Sequence, residues 1–200
     1  MEGGGDHLAE RVRSAIQEMA RHAIENSRAL DDRQVEETVE MLLGAENIFV
    51  ASLGHSGLVG RAFALRLMHL RSNVFVVGDV TTPGMKPDDI MVVITNSGET
   101  SSLIALSRKA KEVGGKVVAV TSCPESSLAR IADHVVKIKP RGGIEKFPVM
   151  SVLGDGKHTQ LSGTLFGVST FLFLHGICCE LAIRMKRTVE EIDERHANLE

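Results

Sequence analysis

Apolar and polar positions along this chain follow two periods, and the change from one to the other marks out its elements. From His7 to Leu30 the apolar residues Leu8, Val12, Ile16, Met19, Ala20, Ala23 and Ile24 recur about every 3.6 positions, the spacing of one face of a helix. Asp31-x-x-Gln34 reads as a capping box opening a second helix through Val35, Val39, Leu42 and Leu43, which Gly44 closes. Short β-branched runs then take over: Asn47 to Ser52, Val74 to Val77, Ile90 to Ile94, Lys116 to Thr121 and Asp133 to Ile138. Between them helical spacing returns over Leu58 to Leu70, from Ser97 as N-cap to Gly114-Gly115, and over a short stretch from Ser126 to Ala132. Runs alternating with helices in this way predict a parallel sheet wound on both faces, because each crossover is long and right-handed.

Beyond Lys139 the pattern changes. Pro140 to Pro148 is too rich in Gly and Pro for a regular element and reads as a loop near the site. From Leu161 to Cys179 no Asp, Glu, Lys or Arg occurs, close to the length a membrane span needs. Ser162, Gly163, Thr164, Gly167, Ser169, Thr170, His175 and Gly176 dilute that stretch, so a buried helix at an oligomer interface is expected over Leu161 to Met185. Thr188-x-x-Glu191 then caps a last helix, followed by Arg195 and His196. The 200 residues are read as one domain: N-terminal helices in 1–44, a β/α core in 45–140, and a C-terminal loop and helices in 141–200.

Composition narrows the chemistry. With 43% hydrophobic residues, 4% aromatic and neither Trp nor Tyr, the core is aliphatic, as a Val/Ile-rich parallel sheet requires. A net charge of −3 without a basic stripe argues against nucleic acid as a partner. Cys123, Cys178 and Cys179 show no metal or disulfide spacing, and Met1 to Asp6 lacks the basic and apolar regions of a signal peptide; a reducing cytoplasm and no membrane partner are expected.

The most informative stretch is Asp88 to Ser102, where an apolar run stops abruptly in Asn96-Ser97-Gly98-Glu99-Thr100-Ser101. Gly98 allows a tight turn, the helix start offers unpaired amides, and Ser97, Thr100 and Ser101 add donors. A phosphate is the expected guest. Leu53-Gly54-His55-Ser56-Gly57 repeats the arrangement after the first run, and in a doubly wound sheet both loops fall at the carboxyl ends of the strands, where ligands gather. Capping alone also accounts for hydroxyls at a helix start.

Two hydroxyl-bearing glycine loops, after the first and third strands, resemble the sugar isomerase (SIS) domain. Within it the chain is similar to the 6-phospho-3-hexuloisomerase family, on Arg61 to Leu70, Val76-Val77-Gly78, Thr82-Pro83, Ser97-Gly98-Glu99-Thr100, Ala119-Val120-Thr121 with Ser126-Ser127-Leu128-Ala129, and the terminal Arg195-His196-Ala197-Asn198-Leu199-Glu200. The resemblance implies a five-stranded parallel sheet flanked by helices on both faces, a flavodoxin-like three-layer α/β/α arrangement. It also implies a homotetramer and a reaction that moves a carbonyl between C3 and C2 of a phosphorylated hexose through an enediol, without metal or organic cofactor. It matches Ser56, Ser97 and Thr100, with Gly98 as the turn and Ser101 beside them, to phosphate-binding positions, and sets His55, Asn96 and Glu99 beside the substrate. His69 reads as catalytic or as an interface histidine, and His196 as catalytic or as part of a packed tail; Glu99 reads also as a complement to the helix dipole.

Three departures stand out. Gly54-His55-Ser56-Gly57 occupies a turn that in the family reads Gly-Arg-Ser-Gly, replacing a guanidinium by a titratable ring. Thr95-Asn96-Ser97 stands for Ser-Gly-Ser, a mild change. Leu161-Ser162-Gly163-Thr164-Leu165-Phe166-Gly167 stands for Pro-Leu-Gly-Thr-x-Phe-Glu, so Gly167 replaces the acid implied as the isomerase base. Glu145, Asp155, His158, or His196 from another subunit, are the substitutes to consider. Two functions remain open at this point: a sugar-phosphate isomerase, and a catalytically silent sugar-phosphate-binding protein.

Overall fold

A computed structural model describes residues 6–70, 73–139 and 162–198. In order come α1 (Asp6–Arg28), α2 (Asp32–Gly44), β1 (Ile48–Ser52), α3 (Gly54–Leu70), β2 (Val74–Val76), β3 (Ile90–Ile94), α4 (Ser101–Glu112), β4 (Lys116–Thr121), β5 (His134–Lys137), α5 (Ser162–Arg184) and α6 (Val189–Asp193). The five strands form one sheet in the order β2-β1-β3-β4-β5, every pair parallel, as expected.

Strand periodicity divides the core into two layers. Ile48, Val50, Ile90, Val92, Ile94, Val118 and Val120 point to one face, where α2, α3 and α5 cover them with Leu42, Phe63, Leu67, Leu174 and Leu181. Phe49, Ala51, Met91, Val93, Val117 and Ala119 point to the other, against Leu103 and Ala110 of α4 and Leu128. Helices therefore flank both faces, because α3 and α4 leave neighbouring strands in opposite directions. β1 and β3 are adjacent, so the order of strands reverses between them and opens a crevice at their carboxyl ends.

The apolar helix α5 is, among the described residues, the one helix long and apolar enough to cross a membrane, and half of that stretch is buried inside the protein. It packs between α3 and α1. His22 of α1 meets Ser169 of α5 at 2.9 Å, and Asn26 takes the amide of Lys139 at 2.7 Å. The buried half of α5 packs as a core helix.

Several boundaries differ from expectation. α3 begins at Gly54, four residues before Leu58, because Gly54 takes φ +57° and lets the chain turn straight from β1 into the helix. The N-cap of α4 is Thr100, not Ser97; Ser97 instead accepts the Glu99 amide at 3.2 Å in the turn before the helix. Ser126 to Ala132 forms successive turns in place of a helix, since the Leu128 amide is bonded to Gly98 O at 3.1 Å, which draws Leu128 into the core. At Asp31 only half of the capping box forms, with its side chain accepting from the Gln34 amide, whereas the Thr188–Glu191 box is complete.

Gly60 sets how closely α3 approaches β1: a Cβ there would lie 2.2 Å from Ser52 Oγ and 3.2 Å from a Val50 methyl. Gly60→Ala is expected to destabilise the fold by about 1–3 kcal/mol through overpacking. A urea midpoint equal to that of the unsubstituted protein would contradict this reading of the α3–β1 contact.

Candidate functional site

The crevice between β1 and β3 receives two helix starts. On one side, the first turn of α3 carries His55, exposed, and Ser56, half-buried. On the other, Asn96 to Ser101 leads into α4, with Ser97 and Ser101 exposed and Thr100 half-buried. Thr100 makes no side-chain cap to the first turn of α4, so those amides face the crevice without an acceptor from their own N-cap. Its hydroxyl lies 3.4 Å from that of Thr95, which is buried beneath it. Ser97 uses its oxygen as an acceptor for the Glu99 amide, leaving its hydrogen free to donate. An oxyanion placed here meets hydroxyls, helix-start amides and the positive end of a helix dipole.

Bonds reaching across from the loop after β4 hold this turn rigid, and the sequence reading did not find them. Asn96 O accepts from the Ser122 amide at 3.2 Å, from Thr121 Oγ1 at 3.0 Å and from Ser122 Oγ at 2.9 Å, while Asn96 Oδ1 lies 2.6 Å from Ser122 Oγ. Asn96, expected beside the substrate, also braces two loops. Gly98 takes φ +67°, and a Cβ on it would fall 2.0 Å from Ser126 Oγ, so this glycine answers both a conformation and a close approach. Glu99 accepts the Ser127 amide at 2.7 Å; that bond, with Arg130 nearby, holds its carboxyl below the usual range. The signal that could have pointed to these partners is Thr121-Ser122, where another apolar run ends in hydroxyls just as β3 does.

His69 and His196, also singled out in the sequence, lie away from this crevice in their own chain. His69 sits in the last turn of α3, thirteen residues after Ser56 and so about 20 Å away along the helix. His196 stacks on it with ring centroids 4.2 Å apart, and Arg195 reaches Met68 O at 3.2 Å, which ties the tail to the carboxyl end of α3. Within one chain this histidine pair lies at the amino ends of the strands, opposite the hydroxyl loops. Glu145, Asp155 and His158 fall outside the described residues. Among the described residues no group of three or more His, Cys, Asp or Glu could hold a metal ion.

The two largest departures in sequence touch each other. Gly167 is buried in the first turns of α5, and a Cβ built on it would lie 2.3 Å from His55 Cε1 and 2.5 Å from Nδ1. The imidazole thus fills the space into which any side chain at 167 would project.

A separate cavity of about 810 Å³ opens between α1, α2 and α5, walled by Ala20, Ala23, Ile24, Val35, Leu172 and Phe173. Its one guanidinium, Arg184, is committed to Glu36, Glu40 and Glu180 at 2.6–2.8 Å. Those walls suit an apolar helix face, not a phosphorylated sugar.

The sequence profile of the SIS domain matches residues 41–154. Over 192 residues the chain is 38% identical to an uncharacterized protein of Methanothermobacter thermautotrophicus, covering 94% of this chain and 97% of that one. A 3-hexulose-6-phosphate isomerase of Mycobacterium gastri is 35% identical over 173 residues, 86% of this chain and 82% of the isomerase. The solved structure of a Methanococcus jannaschii protein, for which a function of 3-hexulose-6-phosphate isomerase was inferred, superposes with a TM-score of 0.77 at 25% identity, covering 94% of this chain and 99% of that one.

The far end of α3 has a pH signature of its own. Burial, with the neighbouring His196 and Arg66 adding to it, pushes the His69 imidazole below its ordinary range, and its Nδ1 is buried without a partner. Burial does the same to His22, against the pull of Glu25. Both rings bind protons more readily when unfolded, so their contribution is full above about pH 6.5 and is lost as pH falls from there through the lowered folded values. The urea midpoint is expected to drop between about pH 7 and 5.5, and His69→Gln to flatten that slope; an unchanged slope would remove His69 from the effect.

Proposed function

This chain belongs to the SIS domain family, and on that premise we propose that it interconverts 3-hexulose 6-phosphate and fructose 6-phosphate through a 2,3-enediol. The observation that carries the reading is the convergence of two hydroxyl-bearing helix starts, at Ser56 and at Ser97–Ser101, on the crevice between β1 and β3. The similarity over most of the chain to a named 3-hexulose-6-phosphate isomerase supports the same substrate. Phosphate gripped at one end of the sugar orients C2 and C3 for proton transfer, and that binding energy lowers the barrier at carbons the phosphate site never touches.

The exposed face of α1 supports a homotetramer. Leu8, Val12, Ile16 and Ile24, each more than half exposed, form a stripe along one side of that helix, and Phe171, Leu172 and Ile183 are exposed on α5. In such an assembly the His69–His196 pair reaches a site by facing that of a neighbouring protomer, where it passes a proton between the two sugar oxygens. Light scattering should give a mass four times the 21.6 kDa of one chain. A monomer in solution would leave the histidine pair without a route to any site.

A second reading, a silent sugar-phosphate sensor, is favoured by one observation, the glycine at position 167 where the resemblance implies a carboxylate. Incubation with 3-hexulose 6-phosphate separates the two: formation of fructose 6-phosphate supports the isomerase, and calorimetric binding without conversion supports the sensor. In either case Ser97→Ala and Thr100→Ala are each expected to weaken binding by about 1.5–3 kcal/mol, roughly ten- to hundredfold in Kd, as a hydrogen bond to a charged group is lost. Unchanged affinity in both would move the phosphate away from this loop.

A further inference from the structure

We infer that His55 is the base that carries hydrogen between the two reacting carbons, an assignment that rests on the isomerase reading above. The ring stands in the first turn of α3 at the carboxyl end of β1, one residue before Ser56, and is exposed. It is seated against α5 by a glycine 112 positions later in the chain. The Cε1–Nδ1 edge lies 2.3 and 2.5 Å from where a Cβ at 167 would be, while Nε2 is 3.6 Å from that point. Gly167 therefore leaves open the slot that holds the ring, and Nε2 is the nitrogen turned farther from α5.

Among the described residues the other ionisable groups nearest the crevice are paired or stand beyond the turn after β3. The Glu99 carboxylate accepts the Ser127 amide, which lowers its basicity. Asp79, after β2, is paired with Arg61 at 2.8 Å. Cys123 and Glu125 follow β4, on the side of the Asn96–Ser101 turn away from Ser56 and His55. Among the described residues His55 is left beside the phosphate-binding hydroxyls with an uncommitted side chain of the type most often used for proton transfer.

The step balances without any further reagent. Nε2 takes the proton from C2 of 3-hexulose 6-phosphate; the C–H electrons form the C2=C3 bond, and the carbonyl electrons pass to O3, which gains a proton. The protonated ring then returns its proton to C3 as O2 gives up its own and C2=O forms, so the ring ends as it began.

The test runs unsubstituted protein and the His55→Gln and Gly167→Ala variants with fructose 6-phosphate in D2O, following by NMR both exchange of the hydrogen at C3 and appearance of the 3-ketose. His55→Gln should slow exchange and turnover by about a hundredfold or more, while calorimetric affinity for fructose 6-phosphate stays within about threefold. Gly167→Ala, whose methyl displaces the ring, should lower kcat at least about tenfold with KM little changed. An active unsubstituted enzyme whose His55→Gln variant exchanges within about threefold of it overturns this assignment and leaves the isomerase standing. Unsubstituted protein that binds the sugar phosphate without exchange or turnover overturns the isomerase and, with it, the role given to His55.

Discussion

A helix that starts at the end of a parallel strand cannot satisfy the amides of its own first turn, and this structure places two such starts side by side. β1 and β3 are neighbours, yet α3 and α4 depart to opposite faces of the sheet. Their amides and hydroxyls therefore stand at the carboxyl ends of adjacent strands. Two helix starts side by side concentrate unpaired amides and positive dipole ends, the arrangement on which the proposed phosphate site rests.

Holding the crevice open requires rigidity in the turn after β3, and that comes from β4. The Asn96 carbonyl accepts the Ser122 amide and the Thr121 hydroxyl, the single Ser122 hydroxyl proton is shared between that carbonyl and Asn96 Oδ1, and Gly98 lets Ser126 close to within the volume of a missing methyl group. A loop braced from both sides keeps Ser97, Thr100 and Ser101 in place before a ligand arrives, so little ordering entropy opposes binding. The opposite end of α3 is arranged on different terms, with a buried histidine stacked on a tail residue and a guanidinium on the last carbonyls of the helix. One helix thus links the crevice to the His69–His196 stack about 20 Å away.

The imidazole at position 55 and the glycine at position 167 read as two unrelated features when the positions are taken singly. In space they are one arrangement: the volume that a side chain at 167 would need is taken up by the ring on α3. Interiors and clefts are packed closely enough that such a volume is seldom left vacant.

The amino-acid sequence alone determined the alternation of strands and helices, the aliphatic sheet and the two hydroxyl loops, because these follow from short-range periodicity and from local turn chemistry at Gly54 and Gly98. It misplaced the start of α4 by three residues and read a helix at Ser126 to Ala132, where a long-range bond from Leu128 to Gly98 overrides local preference. Only the tertiary structure decided that Asn96 braces a loop, that His69 and His196 stand together far from Ser56 in their own chain, and that His55 rests on Gly167. Each of these depends on residues between 25 and 127 positions apart, and no local pattern reports which distant segment the packing of α5 and the sheet will bring alongside.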